Sequence, residues 1–100
     1  MSGRVHLDLN NPEFQNDLFG LEPEQLMALF ATLSKLAKMT WDQVYRDKGL
    51  HWEAIKSRPS RDGGRLYSFR ITRKFRAVAQ REGDWMRCLT LHPDHDSTYK

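Results

Sequence analysis

Two imidazoles, two carboxylates and a phenol crowd the end of the sequence, His92-Pro-Asp94-His95-Asp96-Ser-Thr-Tyr99-Lys100. Just upstream, Phe69-Arg70-Ile-Thr-Arg73-Lys74-Phe75-Arg76-Ala-Val alternates cations with apolar residues. Histidine titrates near neutrality, so it can give or take a proton in a transition state. Guanidinium forks match the oxygens of a phosphate. Groups that move protons beside groups that hold phosphate are what cleavage of a phosphodiester requires. If residues 95–99 form a turn of helix, their spacing puts His95 and Tyr99 on one side. The plain alternative is a basic sheet whose arginines lie flat on their methylene stems, followed by a solvated polar tail.

Other chemistries fit less well. Imidazole and carboxylate suit zinc or iron, but the packed spacing of His92, Asp94, His95 and Asp96 matches no standard ligand pattern, so no metal is expected. His6 and His51 stand isolated and take no role. Gly63-Gly64 precedes a strand instead of opening a helix, so there is no phosphate-cradling loop. No serine or cysteine nucleophile has a plausible base. Cys88 lies in an apolar strand pattern with Met86, Leu89 and Leu91 and reads as a small buried hydrophobe.

The elements that must position these groups follow from periodicity. Arg4–Asn10 alternates, with Val5, Leu7 and Leu9 on one side, and predicts an opening strand. Asn11-Pro12-Glu13 reads as a cap, but Phe14, Leu18 and Phe19 support at most a short helical turn before Gly20. Pro23 and Glu24 open a long helix carrying Leu26, Leu29, Phe30, Leu33, Leu36 and Ala37 at three- and four-residue spacing. Thr40-Trp-Asp-Gln43 is a capping-box pattern for a second helix, which Gly49 stops and which Trp41, Val44 and Tyr45 dock on the sheet.

From Leu50 the period becomes two. Strands are predicted over 52–56, Leu66–Thr72, Phe75–Arg81 and Trp85–Leu91, with turns at Arg73-Lys74 and Arg81-Glu-Gly83-Asp. Ser57 to Gly64 reads by composition as a mobile loop. The predicted order is β-α-α-β-β-β-β, an α+β domain whose antiparallel sheet is covered on one face by two N-terminal helices. On its third predicted strand Tyr67, Phe69 and Ile71 face the helices, while Leu66, Ser68, Arg70 and Thr72 face away. Arg76, Val78 and Gln80 share that second face, so Arg70 and Arg76 are expected close together on an open surface.

One hundred residues suit one domain, 1–100, and a composition of 39% hydrophobic and 29% charged residues is that of a globular protein. No apolar run approaches the ~20 residues of a membrane span. The N-terminus shows no secretion signal, and a lone cysteine fits a reducing cytosol, so a cytoplasmic location is expected. Residues 1–50 carry five Lys/Arg against seven Asp/Glu, whereas residues 51–100 carry eleven against six. Such one-sided charge is the footprint of a polyanion or an acidic protein partner; a solvated basic face is the blander source.

The run Leu66-Tyr-Ser-Phe-Arg-Ile-Thr-Arg-Lys-Phe-Arg-Ala-Val-Ala79, the Glu-Gly-Asp hairpin, Leu89-Thr-Leu-His and the terminal His-Asp-Ser-Thr-Tyr together resemble the RelE/ParE toxin superfamily. The resemblance implies a small twisted antiparallel sheet with two helices. Its RelE-like members are metal-independent ribonucleases that enter the ribosomal A site, cut messenger RNA and are neutralised by a cognate antitoxin. By that resemblance Arg76 stands where an arginine contacts the scissile phosphate, and Arg70 where the preceding strand carries a basic residue. Tyr99 matches the C-terminal aromatic that stacks on a base, and His95 the position of a general acid or base. Lys56, Arg73 and Lys74 would add contacts to the RNA backbone.

Two departures stand out. Ser68 occupies a strand position where relatives often hold a second lysine, and the sequence ends at Lys100 without the longer C-terminal helix of some members. The implied protein is a toxin-type mRNA endoribonuclease that partners an antitoxin, mRNA and the ribosome, with no cofactor and no membrane. The alternatives are a ParE-like, non-enzymatic gyrase inhibitor, or an inactive basic domain that binds RNA or antitoxin. Catalysis requires the two guanidiniums of the hairpin and the His95–Tyr99 pair to meet around one nucleotide-sized pocket.

Overall fold

A computed structural model describes residues 3–56 and 64–93. Its elements are β1 (His6–Asp8), α1 (Pro12–Phe19), α2 (Pro23–Ala37), α3 (Trp41–Arg46), β2 (Glu53–Ile55), β3 (Leu66–Arg70), β4 (Arg76–Glu82) and β5 (Trp85–His92). They build one five-stranded sheet in the order β1-β5-β4-β3-β2. The α+β class and the run of C-terminal strands are as the sequence predicts.

Two details differ. A third helix, α1, forms where only a turn was expected. Asn11 caps it by accepting from the backbone N–H groups of Glu13 and Phe14 at 2.8 and 3.4 Å, and Pro12 supplies a preset φ at its start. Phe14 is buried in the core, which anchors the helix despite its sparse apolar pattern. The sheet is also mixed: β1 runs parallel to β5, while the other pairings are antiparallel. The helical crossover between β1 and the later strands is what permits a parallel pair.

α2 buries Leu29, Leu33 and Leu36, a narrower stripe than its apolar spacing suggests, since Phe30 stays 50% exposed and Ala37 is exposed. α3 begins with the expected reciprocal cap: Thr40 Oγ1 accepts from the Gln43 N–H at 3.3 Å, and Gln43 Oε1 accepts from the Thr40 N–H at 2.9 Å. It ends at Arg46, ahead of Gly49, because the Asp47 N–H closes the last turn and Asp47 Oδ1 then accepts from Leu50 N at 2.9 Å. Trp41 and Val44 dock as expected, while Tyr45 keeps half its surface in solvent.

The core lies on the helix-bearing face of the sheet, where Phe14, Leu29, Leu36, Trp41 and Val44 meet Phe69, Ala77, Ala79, Met86 and Cys88. Each large side chain buried there contributes about 1.5–3 kcal/mol. The other face carries a smaller apolar cluster of Ile55, Leu66 and Val78 with Leu89 against it. A bulge at Val78/Ala79 interrupts the β4–β5 ladder. Gly83 turns that hairpin at φ 60, where a side chain would be strained.

Candidate functional site

Register places the polar groups of the second face. Glu53 pairs with Ser68, Arg70 with Arg76, and Arg76 with His92, and residues directly opposite each other project to the same side. A polar patch therefore crosses β2, β3, β4 and β5 over two adjacent cross-strand rows, Glu53–Ser68 and Arg70–Arg76–His92. Arg76 lies at its centre. Its Nη2 donates to Ser68 Oγ at 2.8 Å and to the His51 carbonyl at 3.1 Å, and approaches Glu53 Oε1 at 3.6 Å. The other oxygen of Glu53 lies 3.3 Å from His51 Nε2. One carboxylate thus serves a guanidinium and an imidazole together.

Arg76 departs from expectation. It is not displayed on an open surface; it is 2% exposed, beside a Ser68 that is fully buried. A guanidinium leaves water only when its charge and donors are met, and Glu53, Ser68 and the His51 carbonyl meet that demand at Nη2. Its Nε is a buried donor with no partner among the described residues. Such orphans are rare, and each calls for a strain, ligand or water explanation.

The other predicted residues divide cleanly. Arg70 is exposed and pairs directly across the ladder with Arg76, so the two residues are cross-strand neighbours, one open and one buried. Lys56 is exposed just beyond β2, and Arg73 and Lys74 are exposed in the turn between β3 and β4. His95 and Tyr99, with Asp94 and Asp96, lie outside the described residues, as does the loop expected at 57–63. Of the group considered as metal ligands only His92 is described, and its Nε2 lies 2.9 Å from Thr90 Oγ1.

Sequence reading missed His51, Glu53 and the acceptor role of Ser68. His51 is not isolated, as the spacing suggested; the chain brings it to Glu53 and Arg76. A signal for Glu53 did exist. In a strand over 52–56 it must face opposite Trp52, and Trp52 stacks on Tyr67 and Phe69 on the helix side.

Titration elsewhere supports the plainer readings. Burial, reinforced by the Asp8 charge, pushes the Cys88 thiol up to about 12, so it is an inert core group. Burial, then the neighbouring Tyr45, also raises the Tyr67 phenol, which lies on the helix side away from Arg76. No described helix is long and apolar enough to cross a membrane.

No family model and no curated protein matches the chain. Among solved structures it is similar to a chain of the archaeal RelE–RelB complex from Pyrococcus horikoshii OT3, with 17% identity, 93% of this chain and 96% of that one covered, and a TM-score of 0.56. The fold is RelE-like. The YoeB dimer from Staphylococcus aureus is also similar, at 14% identity, with 92% and 97% covered and a TM-score of 0.46. The resemblance of the strand motifs between residues 66 and 92 is thus matched by the architecture that holds them. In this RelE-like sheet, the polar patch of Glu53, Ser68, Arg70, Arg76 and His92 occupies the face opposite the core.

Proposed function

We propose that the chain is the toxin of a toxin–antitoxin pair, an endoribonuclease that works without a metal and cleaves mRNA in the ribosomal A site. The observation that carries this reading is the Arg76 centre on a RelE-like fold: a buried guanidinium with an unmet Nε donor, flanked by a carboxylate, an imidazole and a second, exposed guanidinium. The RNA's own 2′-hydroxyl attacks the adjacent phosphorus, and a base and an acid handle the two protons. Positioned cations stabilise the charge on the phosphorane-like state.

Burial changes how the arginines would share that task. Arg70 is the group that can reach the phosphate from solvent, while Arg76 holds Glu53 and the His51 turn behind it and adds its field. His95 would act as general acid or base and Tyr99 would stack on a base, with Lys56, Arg73 and Lys74 gripping the RNA backbone. Likeness to a chain of a RelE–RelB complex supports a cognate antitoxin as the protein partner. The site asks for no cofactor or membrane, and the setting is the cytosol.

The burial of Arg76 also favours a second reading, in which the guanidinium is purely structural and the chain acts like ParE, inhibiting gyrase by protein contacts. Primer extension on a reporter transcript after induction separates the two. Cleavage that is lost in Arg70→Ala and His95→Ala, both folded, supports the ribonuclease. Growth arrest with intact transcripts and a DNA-damage response would select the gyrase reading.

A further inference from the structure

Backbone strain marks a position beside the arginine hairpin. His51 is the one non-glycine residue with positive φ among those described, at 49°. An L residue there persists only where its surroundings over-determine it, and such positions gather at functional sites. Three contacts fix His51: its N–H donates to the Asp47 carbonyl at 3.3 Å, its own carbonyl accepts from Arg76 Nη2 at 3.1 Å, and its Nε2 faces Glu53 Oε2 at 3.3 Å. Its side chain is nevertheless 49% exposed. A ring on a fixed backbone, held at one nitrogen and open to solvent, is what a proton-transferring group needs. An ordinary surface ion pair would require neither the left-handed backbone nor the buried arginine on the same residue's carbonyl.

Resting on the ribonuclease reading above, we propose that His51 is the general base of the cleavage and that Glu53 is its positioning residue. An ionised carboxylate only accepts hydrogen bonds, so the nitrogen facing Glu53 is the one that carries the proton. The lone pair of the neutral ring then lies on Nδ1. Glu53 is the weaker choice of base, because both of its oxygens are engaged, one toward Arg76 and one toward His51.

In the step itself, Nδ1 takes the proton of the RNA 2′-hydroxyl as that oxygen bonds to phosphorus. The bond from phosphorus to the 5′-oxygen breaks, and the departing oxygen takes a proton from the general acid. The products are a 2′,3′-cyclic phosphate and a 5′-hydroxyl, and the imidazolium returns its proton to water. No oxidant or cofactor enters the balance.

The backbone itself supplies a clean test. His51→Gly deletes the ring at a φ that glycine adopts without strain, so the variant should fold and melt no lower than the parent. The full-length chain is incubated with ribosomes programmed with a reporter mRNA, and cleavage is followed by primer extension. The parent should cut, His51→Gly should cut about 100-fold more slowly with unchanged RNA affinity, and added imidazole should restore much of the rate. Glu53→Gln should lower the turnover rate and gain nothing from imidazole. Cleavage by His51→Gly at the parental rate, or slow cleavage that imidazole leaves unchanged, overturns the assignment of the base alone. A parent that leaves the transcript intact overturns the ribonuclease reading, and this assignment with it.

Discussion

Replacing Ser68 by alanine removes one oxygen from the site, and the loss should be large for so small a change. The hydroxyl accepts from Arg76 Nη2 at 2.8 Å, and the residue is fully buried, so no water stands ready to replace it. Hydrogen bonds to charged groups contribute about 1.5–3 kcal/mol, and the loss on removing the acceptor is chiefly the desolvation of the donor left behind. Arg76 already has an unmet Nε, so a second orphan cannot be shared out locally. We expect Ser68→Ala to lose about 2 kcal/mol, a fall in Tm of roughly 10 °C for a domain of this size. Urea denaturation should show a lower midpoint at unchanged slope. A cycle with Arg76→Met should give a coupling above about 1 kcal/mol, because the two residues touch. A loss below about 0.5 kcal/mol, or additive effects in the cycle, would show that the guanidinium swings into water freely. The account of Arg76 as a latch would then be wrong.

Further outcomes follow from the same contacts. Ser68→Lys should fail to fold, since it forces an ammonium into a buried site beside Arg76; circular dichroism at neutral pH checks this. Trp41→Ala should cost about 3–5 kcal/mol, because a buried ring whose Nε1 donates to the Asp84 carbonyl at 2.9 Å is lost; thermal melting reads it. The Lys35 hydrogen bond holds the Asp47 carboxyl below its usual range, against an opposing push from burial. The unfolded chain therefore takes up that proton first, so the contribution is complete above about pH 4 and drains as pH falls through the native value. Asp47→Asn should destabilise at neutral pH and matter little near pH 2, by urea titration at each. The Cys88 thiol, raised to about 12, works in the other direction: its contribution is intact below the unfolded value of 9.0 and is lost between the two. Native protein should accordingly resist a thiol reagent at pH 8 that labels the unfolded chain at once.

Local signals were legible where one residue's neighbours in sequence are also its neighbours in space. The Thr40–Gln43 cap, the Leu29–Leu33–Leu36 stripe and the Gly83 hairpin all close within four residues, and each forms as the sequence predicts. Helix α1 was under-read because its stability comes from a cap and one deeply buried ring, not from a stripe; a periodicity argument has nothing to count there. Phe30 was over-read for the converse reason. It sits one position beyond Leu29, rotated about 100° around the helix, and half of its surface stays in solvent. The parallel pairing of β1 with β5 joins residues about eighty positions apart, and nothing in a three-residue strand announces its partner.

For the site, alternation could place Arg70 and Arg76 on one face but could not say which would be exposed. That outcome depends on what stands opposite. Arg76 finds Ser68 on the facing strand, Glu53 one strand further and the His51 carbonyl twenty-five residues back, and so turns inward. Ser68 shows the logic most clearly. Read as a missing lysine, it is a lost charge on an RNA-binding face. In the folded chain it is the acceptor that lets a guanidinium be buried, and a lysine there would repel the group it now holds. The serine thus latches the guanidinium, which ties the His51–Glu53 pair to the sheet. The buried hydroxyl and the buried arginine therefore act as one unit, and the proton transfer proposed for His51 is where its loss should register in function.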